Sequence, residues 1–118
     1  MNFEETVKYI KVKLDNADKP IRFKLPNWTD WVLIKNVEIS KDGKFHFYYH
    51  ETHLIINLFE LKDSTNGIYS DQDMLYFLKR GGSFSSFWVY SITDAERLTK
   101  AFLHLKTLCT KEKDPFDN

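Results

Sequence analysis

Between residues 21 and 92 the chain is cut by turn-forming residues into runs too short for ordinary helices. Within those runs apolar side chains recur at every second position. This pattern constrains the fold more than any other feature, because a period of two suits a strand with one face buried and suits no helix. Ile21, Phe23 and Leu25 alternate with Arg22 and Lys24, and Pro26-Asn27-Trp28-Thr29-Asp30 then turns the chain. Residues 31–39 read as one strand with Trp31, Leu33, Val37 and Ile39 on one face. Lys35 interrupts that face, and Val32 and Ile34 are apolar on the other. Ser40-Lys41-Asp42-Gly43 is a hairpin signal, since Asp-Gly supplies the positive φ of a tight turn.

Residues 44–50 place Phe45, Phe47 and Tyr49 on one face and His46, Tyr48 and His50 on the other. Glu51-Thr52-His53 breaks the alternation as a turn or bulge. Residues 54–61 form another strand, 63–67 a loop, and Ile68-Tyr69 a very short strand. After a turn at 70–73, residues 74–80 read as a strand, or as one helical turn following Ser70. Gly81-Gly82 turns the chain, and the last strand runs over 84–92.

Both ends change period. At the N-terminal end, Asn2 and Glu5 form a capping-box pattern. Phe3, Val7, Ile10, Leu14 and Ala17 then recur at helical spacing, which predicts a helix over about residues 3–16 with Val12 on its opposite face. At the C-terminal end, Thr93-Asp94-Ala95-Glu96 reads as a second capping box. Ala95, Leu98, Ala101, Phe102, Leu105, Leu108 and Cys109 form a wide apolar stripe over about residues 94–109. Residues 111–118 read as a frayed tail.

A helix, about seven short strands and a closing helix predict an α+β fold with an antiparallel meander rather than a parallel sheet. A sheet of that many strands is expected to curl, with the C-terminal helix as its plug. The chain has 118 residues and shows neither repeat nor linker, so a single domain over 1–118 is expected.

This order is similar to the pleckstrin-homology-like superfold, a half-open barrel of two sheets capped by the last helix. The segment Thr6-Val7-Lys8-Tyr9-Ile10-Lys11-Val12-Lys13-Leu14 resembles the leading helix of a small bacterial module of that type. Residues 94–109, followed by Asp114-Pro115-Phe116, resemble its closing helix and tail. The resemblance rests on about a third of the chain. It implies a fold, and it implies no catalytic residues, because that module is of uncharacterised function.

Charge narrows the function. Lys+Arg and Asp+Glu both number 17, with the signs mixed along the chain. A nucleic-acid binder shows a basic excess, so no nucleic-acid partner is expected. The start of the chain has neither the basic nor the apolar region of a signal peptide, and no run reaches the length of a membrane helix. No integral membrane contact is expected. The cytoplasm is the default location, unless the sequence is a module of a longer exported chain.

Arg22 and Lys24 are too few for the basic cluster that lipid-binding members carry on the first hairpin, and Asp30 would repel phosphate. His46 and His50 stand roughly 13 Å apart along a strand and cannot share an ion. His50 and His53 could meet across the bulge, with Glu51 needed as a third ligand. Gly81-Gly82 lacks the helix and lysine of a phosphate cradle, Asp71 and Asp73 sit in a turn, and His104 lies beside the helix stripe. Cys109, the single cysteine, falls in an apolar stripe and reads as a small buried hydrophobe. No catalytic residue, metal or cofactor is expected.

The aromatic load remains: 10 Phe, 6 Tyr and 3 Trp. It falls on both faces of several strands. Trp28, Tyr48, Trp88 and Tyr90 are the candidate interaction surface. Either the N-terminal helix covers the second sheet face, or a strip stays open for a partner or for self-association. The expected function is non-enzymatic binding of a protein or peptide. The alternative is a lipid or another small amphiphile held in the barrel mouth.

Overall fold

Helix α1 (Phe3–Asp15) begins where the capping box places it. The Asn2 side-chain oxygen accepts from the Glu5 backbone N–H at 2.8 Å, and Glu5 reaches back to the Asn2 N–H at 3.2 Å. Two donors that the first helical turn would otherwise leave unpaired are thereby satisfied. Ile10 and Leu14 are buried, while Val12 on the far side is 46% exposed. The computed structural model describes residues 1–15, 19–62 and 67–110. Ala17, the loop residues 63–66 and the tail 111–118 lie outside the described residues.

Eight strands follow: β1 (Arg22–Lys24), β2 (Val32–Leu33), β3 (Lys35–Ile39), β4 (Lys44–Tyr49), β5 (Thr52–Asn57), β6 (Ile68–Asp71), β7 (Met74–Leu78) and β8 (Phe84–Trp88). Helix α2 (Ile92–Leu108) closes the chain. The fold is α+β, with terminal helices flanking antiparallel strands in two sheets. One sheet has five strands in the order β2-β1-β8-β7-β6, and the other has three in the order β3-β4-β5. Every pairing is antiparallel. The order departs from a plain meander, because β8 pairs with β1 and β5 does not pair with β6. No ladder among the described residues joins the two sheets. One isolated bridge, Leu61 to Lys79, ties the segment after β5 to the end of β7.

Several elements differ from the sequence expectation. The strand expected over 31–39 is two strands, one in each sheet: β2 pairs with β1, and β3 with β4. Asn36 takes a left-handed φ of 55°, and the β3–β4 register shifts between Lys35 and Glu38. An extra residue at a bulge reverses which side chains face inward. Val37 and Ile39 therefore enter the core, whereas Leu33 is 49% exposed. Residues 54–61 do not continue as one strand either. Asn57 ends β5 by accepting the Phe59 N–H at 3.0 Å, and Leu58–Glu60 form one 3-10 turn. Strand β6 runs on to Asp71, so its turn is only Gln72-Asp73, with Gln72 at a φ of 56°. The last helix starts at Ile92 and is capped by Ser91, whose hydroxyl accepts from the Asp94 N–H at 3.2 Å. Thr93 lies inside the first turn and not at the cap.

The core lies between the sheets and against α2. Phe45 of β4 touches Phe47, Phe77, Phe87 and Phe102, with ring centroids 5.2 to 6.1 Å apart. Helix α2 thus packs through Phe102 on the inner side of the five-stranded sheet. Helix α1 packs against α2 and β3. Lys13 pairs with Asp94 at 3.1 Å, and His104 Nε2 donates to the Met1 carbonyl at 2.7 Å. At the other end of α2, the Thr110 N–H donates to the Lys41 carbonyl, which fastens the helix to the β3–β4 turn.

Candidate functional site

Aromatic side chains sort by chemistry. Phe23, Phe45, Phe47, Phe77, Phe87 and Phe102 are almost wholly buried, and no Trp or Tyr is. A phenyl ring carries no polar atom into the core, whereas indole and phenol hold a group that stays near water or needs a partner. Apart from Tyr9 on α1, the Trp and Tyr rings left at the periphery fall in three places.

The largest group lies on the outer face of the five-stranded sheet. Register places Leu33, Arg22, Trp88, Met74 and Asp71 in one cross-strand row on that face. Their neighbours Phe23, Phe87 and Leu75 point into the core. Trp88 stacks on Tyr90 with centroids 4.4 Å apart, and Trp31 packs against the same indole at 5.7 Å. Tyr90 reaches that position from a left-handed backbone, with a φ of 61°. The Trp88 Nε1–H donates to Asp73 Oδ2 at 2.9 Å, which fixes the ring. Lys24 lies 5.3 Å above Trp31, and Lys19 lies 5.2 Å above Tyr90. The next row carries Tyr69 and Tyr76, stacked at 5.1 Å. Burial pushes the Tyr76 phenol up, with the charges of Asp71 and Asp73 and the neighbouring Tyr69 adding to it. Neither helix lies on this face: α1 is on α2 and β3, and α2 is on the inner side. The N-terminal helix therefore does not cover Trp88 and Tyr90.

The other two residues of the expected surface are elsewhere. Trp28 packs edge-on against buried Phe23 at 5.5 Å and against Tyr49 at 5.1 Å, so it caps one end of the core. Tyr48 is on the outer face of the three-stranded sheet, stacked on His53 at 4.6 Å. The structure brings Trp88 and Tyr90 together and separates both from Trp28 and Tyr48. The cause is the change of sheet between β2 and β3, which sends β4 and its outward side chains to the other sheet. Trp31, Tyr69 and Tyr76 belong to the Trp88 face and were not singled out by sequence. Pairing of β1 with β8 brings Trp31 in, and periodicity within single strands carries no signal of that pairing; Tyr69 and Tyr76 join through the β6–β7 and β7–β8 hairpins.

The remaining candidates resolve simply. Arg22 and Lys24 lie on the aromatic face, and Asp73 is the acceptor for Trp88. Gly81-Gly82 is the β7–β8 turn, with Gly82 at a φ of 95°. His50, at a φ of 51°, forms the β4–β5 turn together with Glu51. It does not meet His53; His53 lies beside His46 instead. Cys109 is half-buried at the end of α2, and burial pushes its thiol up, with Asp42 adding to the shift. A cleft of about 290 Å³ opens between β5 and the β7–β8 turn, floored by Phe23 and Phe47. Among the described residues no group of three or more His, Cys, Asp or Glu could hold a metal ion, and no helix is long and apolar enough to cross a membrane.

No family model matches the chain, and no curated protein matches it. Among solved structures it is similar in fold to the Inner Membrane Complex sub-compartment protein 3 of Toxoplasma gondii. The two share 13% identity and a TM-score of 0.53 over 92% of this chain and 89% of that one, a likeness of fold alone.

Proposed function

We propose that the chain is a single domain of pleckstrin-homology-like type, a non-enzymatic module that binds a protein partner through the outer face of its five-stranded sheet. The carrying observation is the Trp31–Trp88–Tyr90 stack, left without a helix over it. Aromatic rings held rigid by stacking and by the Asp73 hydrogen bond lose little entropy on binding, which is the character of interface hot spots. The charges around the stack point to a polypeptide. Lys19, Arg22 and Lys24 lie toward β1, and Asp71 and Asp73 toward the β6–β7 turn. A protein can match both signs across one face, whereas an anionic headgroup would meet the two aspartates.

The test is binding of a captured partner, re-measured with purified components by calorimetry. Trp88→Ala and Tyr90→Ala should each weaken it by roughly 30-fold or more, the loss typical of a hot spot. Tyr48→Ala, on the other sheet, should leave it unchanged. Equal loss from Tyr48→Ala, or none from Trp88→Ala with the fold intact by circular dichroism, overturns this reading.

The apolar cleft of about 290 Å³ favours a second reading, a small amphiphile between the sheets. Its size is at the lower end of ligand pockets, about 300–1,000 Å³. Displacement of an apolar dye by a fatty acid, abolished by Leu54→Trp, would support this reading over the first.

A further inference from the structure

The outer face of the three-stranded sheet carries a second cluster, independent of the aromatic face. His46 on β4 and His53 on β5 are diagonal neighbours, because His46 pairs with Ile55 and His53 with Tyr48. Their facing nitrogens, His46 Nδ1 and His53 Nε2, are 3.0 Å apart. Two nitrogens bound to one metal at about 2.0–2.1 Å are themselves about 2.9–3.3 Å apart, for angles between square-planar and tetrahedral. In the structure this contact is an imidazole–imidazole hydrogen bond, and its N···N separation is also the bite of an ion that would take the place of the shared proton.

The surrounding groups set the ring orientation. Asp42 holds a short hydrogen bond from the Ser40 hydroxyl, and that bond is the main cause of its lowered carboxyl pKa. A carboxylate only accepts, so the Ser40 proton points at Asp42. The Ser40 oxygen, 3.4 Å from His46 Nε2, is then left as an acceptor for the Nε2–H. Neutral His46 in that tautomer presents its lone pair at Nδ1, the atom that faces His53. An outer hydrogen-bond partner on the second ring nitrogen is what fixes the tautomer of a ligating histidine, and Ser40, which also lies 3.3 Å from the Lys44 carbonyl, is placed to be that partner. His53 is held from its other side by stacking on Tyr48, with ring planes 13° apart. Glu38 takes the register position opposite His46 on β3, but its carboxylate pairs with Lys11 at 3.1 Å. The protein therefore supplies two imidazoles and leaves the other positions to water.

We propose that His46 and His53 form a two-imidazole site for a divalent transition-metal ion of the nickel, copper and zinc group, with Ser40 and Asp42 as positioning residues. Imidazole pairs suit these ions, and affinity should follow the usual order, with copper above nickel and zinc. Nothing here requires a redox step.

The test uses the intact chain and each metal alone, Ni²⁺, Cu²⁺ and Zn²⁺, by calorimetry and by imidazole nitrogen NMR with Zn²⁺. One equivalent should bind, shifting the His46 and His53 ring nitrogens and no others. His46→Asn and His53→Asn should each lower affinity at least tenfold, and Ser40→Ala by a smaller factor. His50→Asn and His104→Asn should leave it unchanged. All four rings are partly or fully exposed, so these variants keep the fold. Absence of binding at millimolar metal, binding that survives His53→Asn, or binding lost with His50 or with His104 beside the chain start, overturns the proposal.

Discussion

Cys109 shows how much one residue owes to its surroundings. Its thiol ends α2, half-buried beside the β3–β4 turn, and burial followed by the Asp42 charge raises its pKa. The reactive species is the thiolate, so at a given pH the folded chain presents less of it than the unfolded chain. The folded state holds this proton more tightly. Its contribution to stability is therefore full below the unfolded pKa, near 8.5, and declines as pH rises through that value toward the folded pKa. Iodoacetamide labelling against pH should reach its midpoint at higher pH in the native protein than in urea. A native midpoint at or below the unfolded one would contradict the buried environment. The helical stripe predicts a buried Cys109, whereas the residue is half-buried and caps the end of α2. Gly43 was legible: its φ is 87°, and a Cβ there would meet the Phe59 ring at 2.7 Å. Asn36, His50, Gln72 and Tyr90 share the left-handed backbone without being glycine. Asn and His tolerate that conformation better than most residues, whereas Gln72 and Tyr90 are held there by the packing around them and carry no residue-type signal.

At the scale of elements, the start of α2 separates two readings of one short sequence. Ser91 and Thr93 are both good caps, and Glu96 three residues after Thr93 favours the second. The structure uses Ser91, with a backbone φ of −147° and Asp94 donating to its hydroxyl. Ser91→Ala should cost about 1 kcal/mol in urea unfolding, the usual worth of a cap, and Thr93→Ala should fall within a few tenths. The reverse ranking would return the helix start to Thr93. Hairpins were legible wherever Gly marked the turn, as at Asp42-Gly43 and Gly81-Gly82. The division of residues 31–39 between two sheets was not, because both halves are β-branched and apolar enough for one strand. The same division carried Tyr48 away from Trp88 and made one expected surface into three separate sites.

At the scale of the whole molecule, one aromatic cluster holds three layers together. Phe45 from the smaller sheet, Phe77 and Phe87 from the larger, and Phe102 from α2 meet around a shared centre. Phe45→Ala should cost about 3–5 kcal/mol, a large part of a typical stability of 5–15 kcal/mol. Tyr48→Ala, two surfaces away, should cost under about 1 kcal/mol by the same denaturation. Comparable losses would mean that the core is not centred on Phe45. The α+β class and both terminal helices could be read from periodicity alone. Sheet membership could not, since β1 finds β8 across most of the chain and no local pattern encodes that partner.

The docking of α1 on α2 has a consequence for how the chain comes into being. Helix α1 is synthesised before the strands, yet the helix it rests against is made after all eight of them. Thirteen residues are too few for a helix to persist alone in water. Phe3, Val7, Ile10 and Leu14 must therefore wait, unfolded and sticky, for seconds at ordinary rates of synthesis of about 5–20 residues per second. During that interval β3 offers them only part of their partner surface, and the rest arrives with α2.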